Sequence, residues 1–230
     1  MHQLHNFGDE RQTEGCAHCG RETATRDHIP PRIFLDQPYP ENLPIVAACE
    51  SCNNEASDDE EYTACVIDCA LTGTVDEHAG RRQKIARALD RQPALKARIA
   101  ASVSECGGTK LWHPDLDRVY RVMVKIARGL AVFELNEPRL EAPAFISVVP
   151  LSTMADVERS AFENIAAAAT WPEIGSRAMQ RLLIDDDGPA GWIIVQNGRF
   201  RYATIWEGSD TIVRMVCSEY LGAKVVWQDA

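Results

Sequence analysis

The most regular alternation of apolar and polar residues in this chain lies between residues 116 and 133. Apolar side chains recur there every three to four positions, and most positions between them are basic or polar. This period places the apolar residues on one face of a helix. They are Leu116, Val119, Val122, Met123, Ile126, Ala127, Leu130 and Phe133. We expect a long amphipathic helix that forms the core of the second part of the chain.

Similar spacings predict five further helices. The first covers about 51–71, where an acidic first turn precedes apolar residues, and a break at Ser57 is left open. A basic amphipathic helix is expected over 74–89, and another from Pro93 to Val103, which Gly107 and Gly108 terminate. Two more are expected over 154–169 and 172–183.

Short apolar runs between turn residues predict strands in the C-terminal part, at 145–149, 192–196, 199–206, 211–217 and 223–227. Asn197-Gly198 favours a type I′ hairpin turn between the second and third of them. Residues 15–53 instead hold many glycines and prolines, with room for only a short β-hairpin. The fold class is therefore α+β: a small N-terminal module, a helical middle region and a small C-terminal antiparallel sheet.

The chain has 230 residues, of which 45% are hydrophobic, enough to bury a real core. We place a boundary near residue 72, giving parts 1–72 and 73–230, although both could form one compact domain. No apolar run reaches the ~18 residues of a membrane span, and the N-terminus has no signal-peptide pattern. We therefore expect a cytoplasmic protein with no membrane contact.

The net charge of −10 is unevenly distributed. Residues 1–70 hold 4 Lys/Arg against 14 Asp/Glu, whereas residues 71–140 hold 13 against 8. A basic middle region could bind phosphate by releasing counterions, although a solvated helix surface would have the same composition. The candidate nucleic-acid contacts there are Arg81, Arg82, Lys84, Arg87, Arg121, Lys125 and Arg128.

Two Cys-x-x-Cys pairs, Cys16/Cys19 and Cys49/Cys52, provide four thiolates on two tight turns. In a reducing compartment this pattern indicates a structural zinc site rather than disulfides. His18, inside the first pair, is expected to be exposed. The same cysteines are also compatible with a purely structural zinc ribbon.

Residues between the two pairs suggest phosphodiester hydrolysis, which needs a base for water and a cation for the leaving oxygen. His28 suits the base, because an ordinary histidine is mostly neutral near pH 7. Asp27 and Asn53 offer oxygen ligands of the kind that Mg²⁺ takes. Arg26 and Arg32 flank the dipeptide and could hold phosphate, or form plain surface ion pairs.

These residues resemble the HNH endonucleases of the four-cysteine type, also called ββα-metal or His-Me finger nucleases. Members have Cys-x-x-Cys, then Asp-His on a strand, an Asn in the hairpin loop, and Cys-x-x-Cys followed by Asn or His on a helix. The match covers roughly residues 14–62, and residues 72–230 match no fold that we can name. The resemblance implies a zinc-bound, treble-clef-like ββα-metal module in residues 1–72.

The resemblance also implies roles for single residues. Asp27 and Asn53 would hold a catalytic Mg²⁺ or Mn²⁺, and His28 would be the general base. Asn42, which is also an ordinary turn residue, would orient the base or the hairpin. Asn53 stands where the family's letter motif has its second His. The products would be DNA ends with 5′-phosphate and 3′-hydroxyl groups.

The sequence leaves more than one function open. The first is a metal-dependent DNA endonuclease, which could serve a mobile element or an anti-phage system. The second is a non-catalytic zinc module that binds nucleic acid or protein; the acidic first seventy residues favour it, because they would repel DNA. A third places a protein partner or a homodimer on the C-terminal part.

Overall fold

The structure, a computed structural model, describes residues 14–41, 43–76, 81–165, 172, 174–184, 191–207 and 209–228.

The N-terminal part is a two-stranded hairpin followed by two helices. Strands β1 (Thr25–His28) and β2 (Ile45–Ala48) are antiparallel, with Asp27 opposite Val46. Helices α1 (Glu50–Glu55) and α2 (Ser57–Thr72) follow, so the break that the sequence left open is present. This order of strands and helix agrees with the predicted hairpin.

The middle region departs from the prediction in two places. Helix α2 ends at Gly73, which is left-handed (φ 68°). Helix α3 (Gln83–Arg91) begins later than the expected residue 74, and its N-cap Arg82 is not helical (φ −57°, ψ 130°); residues 77–80 lie outside the described ranges. Helix α4 (Pro93–Ala101) is followed by an unpredicted hairpin, β3 (Val103–Cys106) and β4 (Thr109–Trp112). The predicted long helix is confirmed as α5 (Leu116–Leu135).

The C-terminal part contains the predicted antiparallel sheet, with strand order β5-β9-β8-β7-β6. Two helices lie between its first and second strands along the chain, shorter than predicted; residues 166–171 and 173 are outside the described ranges. The elements are β5 (Phe145–Pro150), α6 (Asp156–Glu163), α7 (Arg177–Ile184), β6 (Ile193–Gln196), β7 (Phe200–Glu207), β8 (Asp210–Cys217) and β9 (Leu221–Trp227).

Helix α5 lies at the centre of the fold, packed against α2, against β2 of the hairpin and against β7, β8 and β9 of the sheet. One cluster of buried apolar side chains extends from Ala17 to Trp227, so both parts of the chain share a core. Gly129 of α5 allows close packing, since a Cβ there would lie 2.6 Å from the Ile29 side chain. The residue after His28 is therefore fixed against α5. None of the described helices is long and apolar enough to cross a membrane.

Candidate functional site

The four cysteines of the two Cys-x-x-Cys pairs come together at one end of the hairpin. Their sulfur atoms all lie within 4.8 Å of one another. A tetrahedral zinc ion with Zn–S bonds of about 2.3 Å would separate its sulfurs by about 3.8 Å. The Cys19 and Cys49 sulfurs are 3.7 Å apart. The predicted structural zinc therefore fits this cluster.

Local backbone geometry positions each cysteine pair. In the first turn, the Cys16 carbonyl accepts hydrogen bonds from the Cys19 and Gly20 amides, at 3.2 and 2.8 Å. The Ala17 amide donates to the Ala47 carbonyl on β2 at 3.0 Å, which places this turn against the hairpin. In the second pair Cys49 is the N-cap of α1, and its Sγ accepts from the Cys52 amide.

Hydrogen bonds favour the thiolate, which is the form that binds metal, at Cys19 and Cys49. Burial raises the pKa of the Cys19 thiol, but hydrogen bonds from Arg21, Cys52 and Cys16 together lower that pKa to about 6. At Cys52, burial and the neighbouring cysteines raise the pKa instead. The Arg21 Nε atom lies 3.3 Å from Cys19 Sγ, and its Nη2 donates to Ser51 Oγ on α1 at 3.0 Å. Arg21 thus links the two turns as well as compensating their negative charge.

Asp27 lies in a buried charge cluster that the sequence did not reveal. Its Oδ2 is 2.9 Å from His18 Nε2 and 2.7 Å from Lys125 Nζ on α5, and Lys125 also contacts Glu60 Oε1 on α2 at 2.5 Å. We call His18, Asp27, Glu60 and Lys125 the Lys125 cluster. Their side chains are 4%, 6%, 12% and 8% exposed. His18 is thus buried, and its expected exposure was wrong.

The pKa directions in the Lys125 cluster follow from its charges. For Asp27, burial raises the pKa, but hydrogen bonds and charge from His18 and Lys125 lower it overall. For Lys125, burial lowers the pKa, but Asp27 and Glu60 raise it overall. Burial raises the pKa of Glu60, and Lys125 offsets only part of that effect. Lys125 is therefore a permanent ammonium at neutral pH, bound to an ionised Asp27.

Asn53 is held against the strand that carries Asp27. Its Nδ2 atom donates to Thr25 Oγ1 at 3.2 Å and to the Arg26 carbonyl at 3.4 Å. The helix that begins at the cysteines thus contacts β1 directly. Asn42, the fourth residue of the predicted catalytic set, lies outside the described residues.

A divalent ion on Asp27 and Asn53 does not fit this arrangement. Asp27 Oδ2 is bonded to the Lys125 ammonium and faces the His18 ring, so a metal ion there would lie against a fixed positive charge. Mg²⁺ also needs several open positions for water, and the Asp27 side chain is only 6% exposed. The geometry therefore does not support a catalytic divalent ion on these two residues.

His28 lies on the opposite face of β1 from Asp27, because successive side chains of a strand alternate. It is partly buried, and burial together with the nearby Arg32 charge lowers its pKa below the ordinary 6.5. Arg26 shares this face and is exposed, as is Arg32 just beyond the strand. Within the described residues neither arginine forms an ion pair; Arg32 stacks on the Tyr39 ring at 5.2 Å. A neutral imidazole therefore lies beside two available cations.

Most of the predicted nucleic-acid contacts of the middle region have partners inside the protein. Arg81 and Arg82 are paired with the carboxylates of Asp68 and Asp36, at 3.3 and 2.7 Å. Lys84 donates to the carbonyls of Arg32 and Leu35 and to the Tyr39 hydroxyl, so it joins α3 to the segment after β1. Arg87 is exposed.

On α5 the basic residues face the acidic start of α2. Arg121 Nε lies 2.7 Å from Asp59 Oδ2, and Arg118 pairs with the same carboxylate. Arg128 donates to the carbonyls of His18, Leu140 and Glu141, which fixes the cysteine turn to α5. Pairing with the acidic first seventy residues thus accounts for much of the charge asymmetry, and DNA contact by these residues remains a prediction.

In comparisons with protein families, curated proteins and solved structures, nothing matches this chain. The structural findings therefore stand alone: an α+β fold with a C-terminal five-stranded sheet, and a four-cysteine cluster compatible with structural zinc.

Proposed function

We propose that this chain is an HNH-type endonuclease that hydrolyses DNA phosphodiester bonds with His28 as the general base. The observation that carries the proposal is the exposed face of β1, where His28, neutral near pH 7, lies beside Arg26 and Arg32. Phosphodiester hydrolysis needs a neutral base and positive charge beside it. The resemblance of the Cys16–Asn53 segment to the four-cysteine nucleases supports the same assignment.

The scaffold supports such a role because it fixes the hairpin from several sides. The metal at the cysteines would hold the turn before β1 and the start of α1, and Ile29 is buried against Gly129 of α5. His28 lies between these two anchors. A base held in this way loses little freedom when substrate binds, which favours catalysis by orientation.

In the proposed reaction, Arg26 and Arg32 bind the non-bridging oxygens of one phosphodiester. His28 accepts a proton from a water molecule while the water oxygen bonds to phosphorus, and the bond from phosphorus to the 3′ oxygen breaks. The 3′ oxygen takes a proton from solvent water and His28 releases its proton to solvent, leaving 3′-hydroxyl and 5′-phosphate ends. The arginines stabilise the negative charge that develops on the phosphoryl oxygens.

The resemblance also implies Mg²⁺ or Mn²⁺ on Asp27 and Asn53. Because Lys125 already binds Asp27, the positive charge that stabilises the phosphoryl oxygens comes from Arg26 and Arg32 in the proposed reaction. The zinc at the cysteines is structural in this scheme and takes no part in the chemical step.

Nicking of supercoiled plasmid DNA tests the proposal. The wild type is expected to convert supercoiled to open-circular DNA, and His28→Ala to lose roughly 10²-fold or more of that rate, the usual contribution of a general base. His113→Ala is the matched control, because His113 is exposed, lies in the β4–α5 connection and contacts Ser104 of β3 rather than β1. No nicking of duplex, single-stranded or branched DNA, with or without Mg²⁺ and Mn²⁺, would refute the proposal.

The pH dependence of nicking gives a second test. Since the pKa of His28 is lowered from 6.5, the base stays neutral above that pH and becomes protonated only below it. We expect a rate that is constant from about pH 7 to 8.5 and falls with unit slope somewhere below 6.5. A rate that rises tenfold per pH unit through pH 7–8 would indicate a different base.

A second candidate function is a non-catalytic zinc module that binds a nucleic acid or a protein. The internal pairing of Asp27 with Lys125 favours it, since the carboxylate of the Asp-His dipeptide then has a purely structural role. In that case His28→Ala would leave ligand binding intact and the wild type would not nick DNA under any metal condition.

A further inference from the structure

We propose that Lys125 is a resident cation that occupies the place of a second divalent ion, so that the cysteine cluster is the one metal site among the residues that the structure describes. Two carboxylates from different elements, Asp27 on β1 and Glu60 on α2, meet at one ammonium from α5. Paired carboxylates that converge on one buried point are an arrangement typical of divalent-ion sites. Here the point of convergence is the Lys125 Nζ atom.

The distances show that an ion and the ammonium cannot occupy this point together. Lys125 Nζ lies 2.7 Å from Asp27 Oδ2 and 2.5 Å from Glu60 Oε1. A divalent ion would bind the same two oxygens at about 2.0–2.2 Å, so it would fall within contact distance of the nitrogen. Both species are positive and the surroundings are buried, so the repulsion would be strong.

Lys125 is held in the cluster by its two ion pairs. Its side chain is 8% exposed, and it lines, together with His18, an open cavity of 510 Å³. Moving the ammonium into this cavity would break its contacts with both Asp27 and Glu60. The carboxylates hold it further, because they raise its pKa and keep it charged at neutral pH. A divalent ion therefore has to compete with an anchored cation.

Without the ammonium, the same residues would form a plausible metal site. Asp27 and Glu60 would offer two carboxylate oxygens, and His18 Nε2 already points at Asp27 Oδ2 from 2.9 Å. Oxygen and imidazole ligands of this kind suit Mn²⁺. Substituting Lys125 by an uncharged residue of similar length should thus open a divalent site that the wild type lacks.

Any role of the displaced ion in catalysis rests on the proposed function. The test measures Mn²⁺ binding and not DNA nicking, so the metal-binding inference and the nuclease proposal can each fail without the other. Full-length protein, loaded with zinc and confirmed by metal analysis, is titrated with Mn²⁺, and free Mn²⁺ is followed by electron paramagnetic resonance. The wild type is expected to bind no Mn²⁺ beyond weak surface association. Lys125→Met is expected to bind one Mn²⁺ per chain, roughly tenfold or more tighter than any wild-type binding.

The variant Lys125→Met/Asp27→Asn is the control for location, and it should lose the gained Mn²⁺ site. Circular dichroism establishes that each variant is folded; if Lys125→Met is not, Lys125→Gln takes its place. The inference is overturned if the wild type binds one Mn²⁺ per chain and Asp27→Asn abolishes that binding. It is equally overturned if a folded Lys125 variant binds no Mn²⁺.

Discussion

Replacing Cys49 by serine is expected to release the metal and to unfold the two cysteine turns, around residues 16–20 and 49–55. Cys49 contributes one of four clustered sulfurs and also caps α1, since its Sγ accepts from the Cys52 amide. Around the cysteines the only other buried apolar residue in the local cluster is Ala48. Structural zinc contributes apparent binding free energies of about 10–16 kcal/mol in small zinc modules, so its loss outweighs this packing.

Metal analysis and limited proteolysis measure the effect. The wild type is expected to hold about one zinc per chain, and Cys49→Ser to hold almost none and to be cut within residues 16–20 or 49–55. Cys106→Ser is the matched control, because Cys106 is an exposed free cysteine at the β3–β4 turn. A full zinc complement in Cys49→Ser, or an equal loss in Cys106→Ser, would contradict the four-cysteine assignment.

Much of the fold could be predicted from local sequence patterns, because the spacing of apolar residues indicates which side chains of a helix or strand are buried. The apolar stripe from Leu116 to Phe133 became α5. Asn197-Gly198 lies in a hairpin turn as predicted, but only Gly198 has a positive φ (69°), so the turn is not the expected type I′. The β3–β4 hairpin was missed because three of the four residues of each strand are exposed, so they carry little apolar alternation. Its one signal was Gly107-Gly108, both at positive φ, the requirement of a type I′ turn.

The four-cysteine cluster could be predicted from spacing alone, whereas the Lys125 cluster could not. A Cys-x-x-Cys pair fixes its own geometry within one turn, but Asp27, Glu60 and Lys125 come from three elements and meet only through tertiary packing. One part was nevertheless available from the sequence. Adjacent residues of a strand point to opposite faces, so Asp27 and His28 could not both face the same cavity if β1 is extended through both.

The charge distribution is a second feature whose structural role depends on tertiary packing and could not be predicted from the sequence. The basic middle region and the acidic first seventy residues are complementary, and the sequence cannot distinguish internal pairing from an external anionic partner. The pairs that form join residues far apart in the chain, such as Arg82 with Asp36 and Arg118 with Asp59. Only Arg26, Arg32 and Arg87, among the predicted phosphate contacts in the described ranges, are exposed with neither a carboxylate nor a carbonyl partner.

Lys125→Met is expected to destabilise the protein by about 3–5 kcal/mol, because it leaves Asp27 and Glu60 buried without their shared cation. The side chains of both acids are nearly buried, so they rely on the ammonium rather than on bulk water for compensation of their charge. Urea unfolding in Mn²⁺-free buffer measures the change. Arg121→Met is the matched control one turn earlier on α5: Arg121 pairs with Asp59 at 2.7 Å but is 61% exposed, so its loss should cost only about 0–1 kcal/mol.

The pH dependence of the loss of unfolding free energy in Lys125→Met shows whether the lost ion pairs cause it. The pKa of Lys125 is raised above 10.5 in the folded protein, so its stabilising contribution is complete below 10.5 and is lost as the pH rises through the folded value. The pKa of Asp27 is lowered below 3.8, so its contribution is present above 3.8 and is lost as the pH falls through the folded value. The difference in unfolding free energy between wild type and Lys125→Met should therefore persist through neutral pH and become smaller above about pH 10.5. This difference in unfolding free energy should also become smaller in acid, where the variant can protonate one of the two carboxylates that have lost the ammonium. A difference that stayed constant across both limits would instead attribute the loss to packing of the lysine side chain.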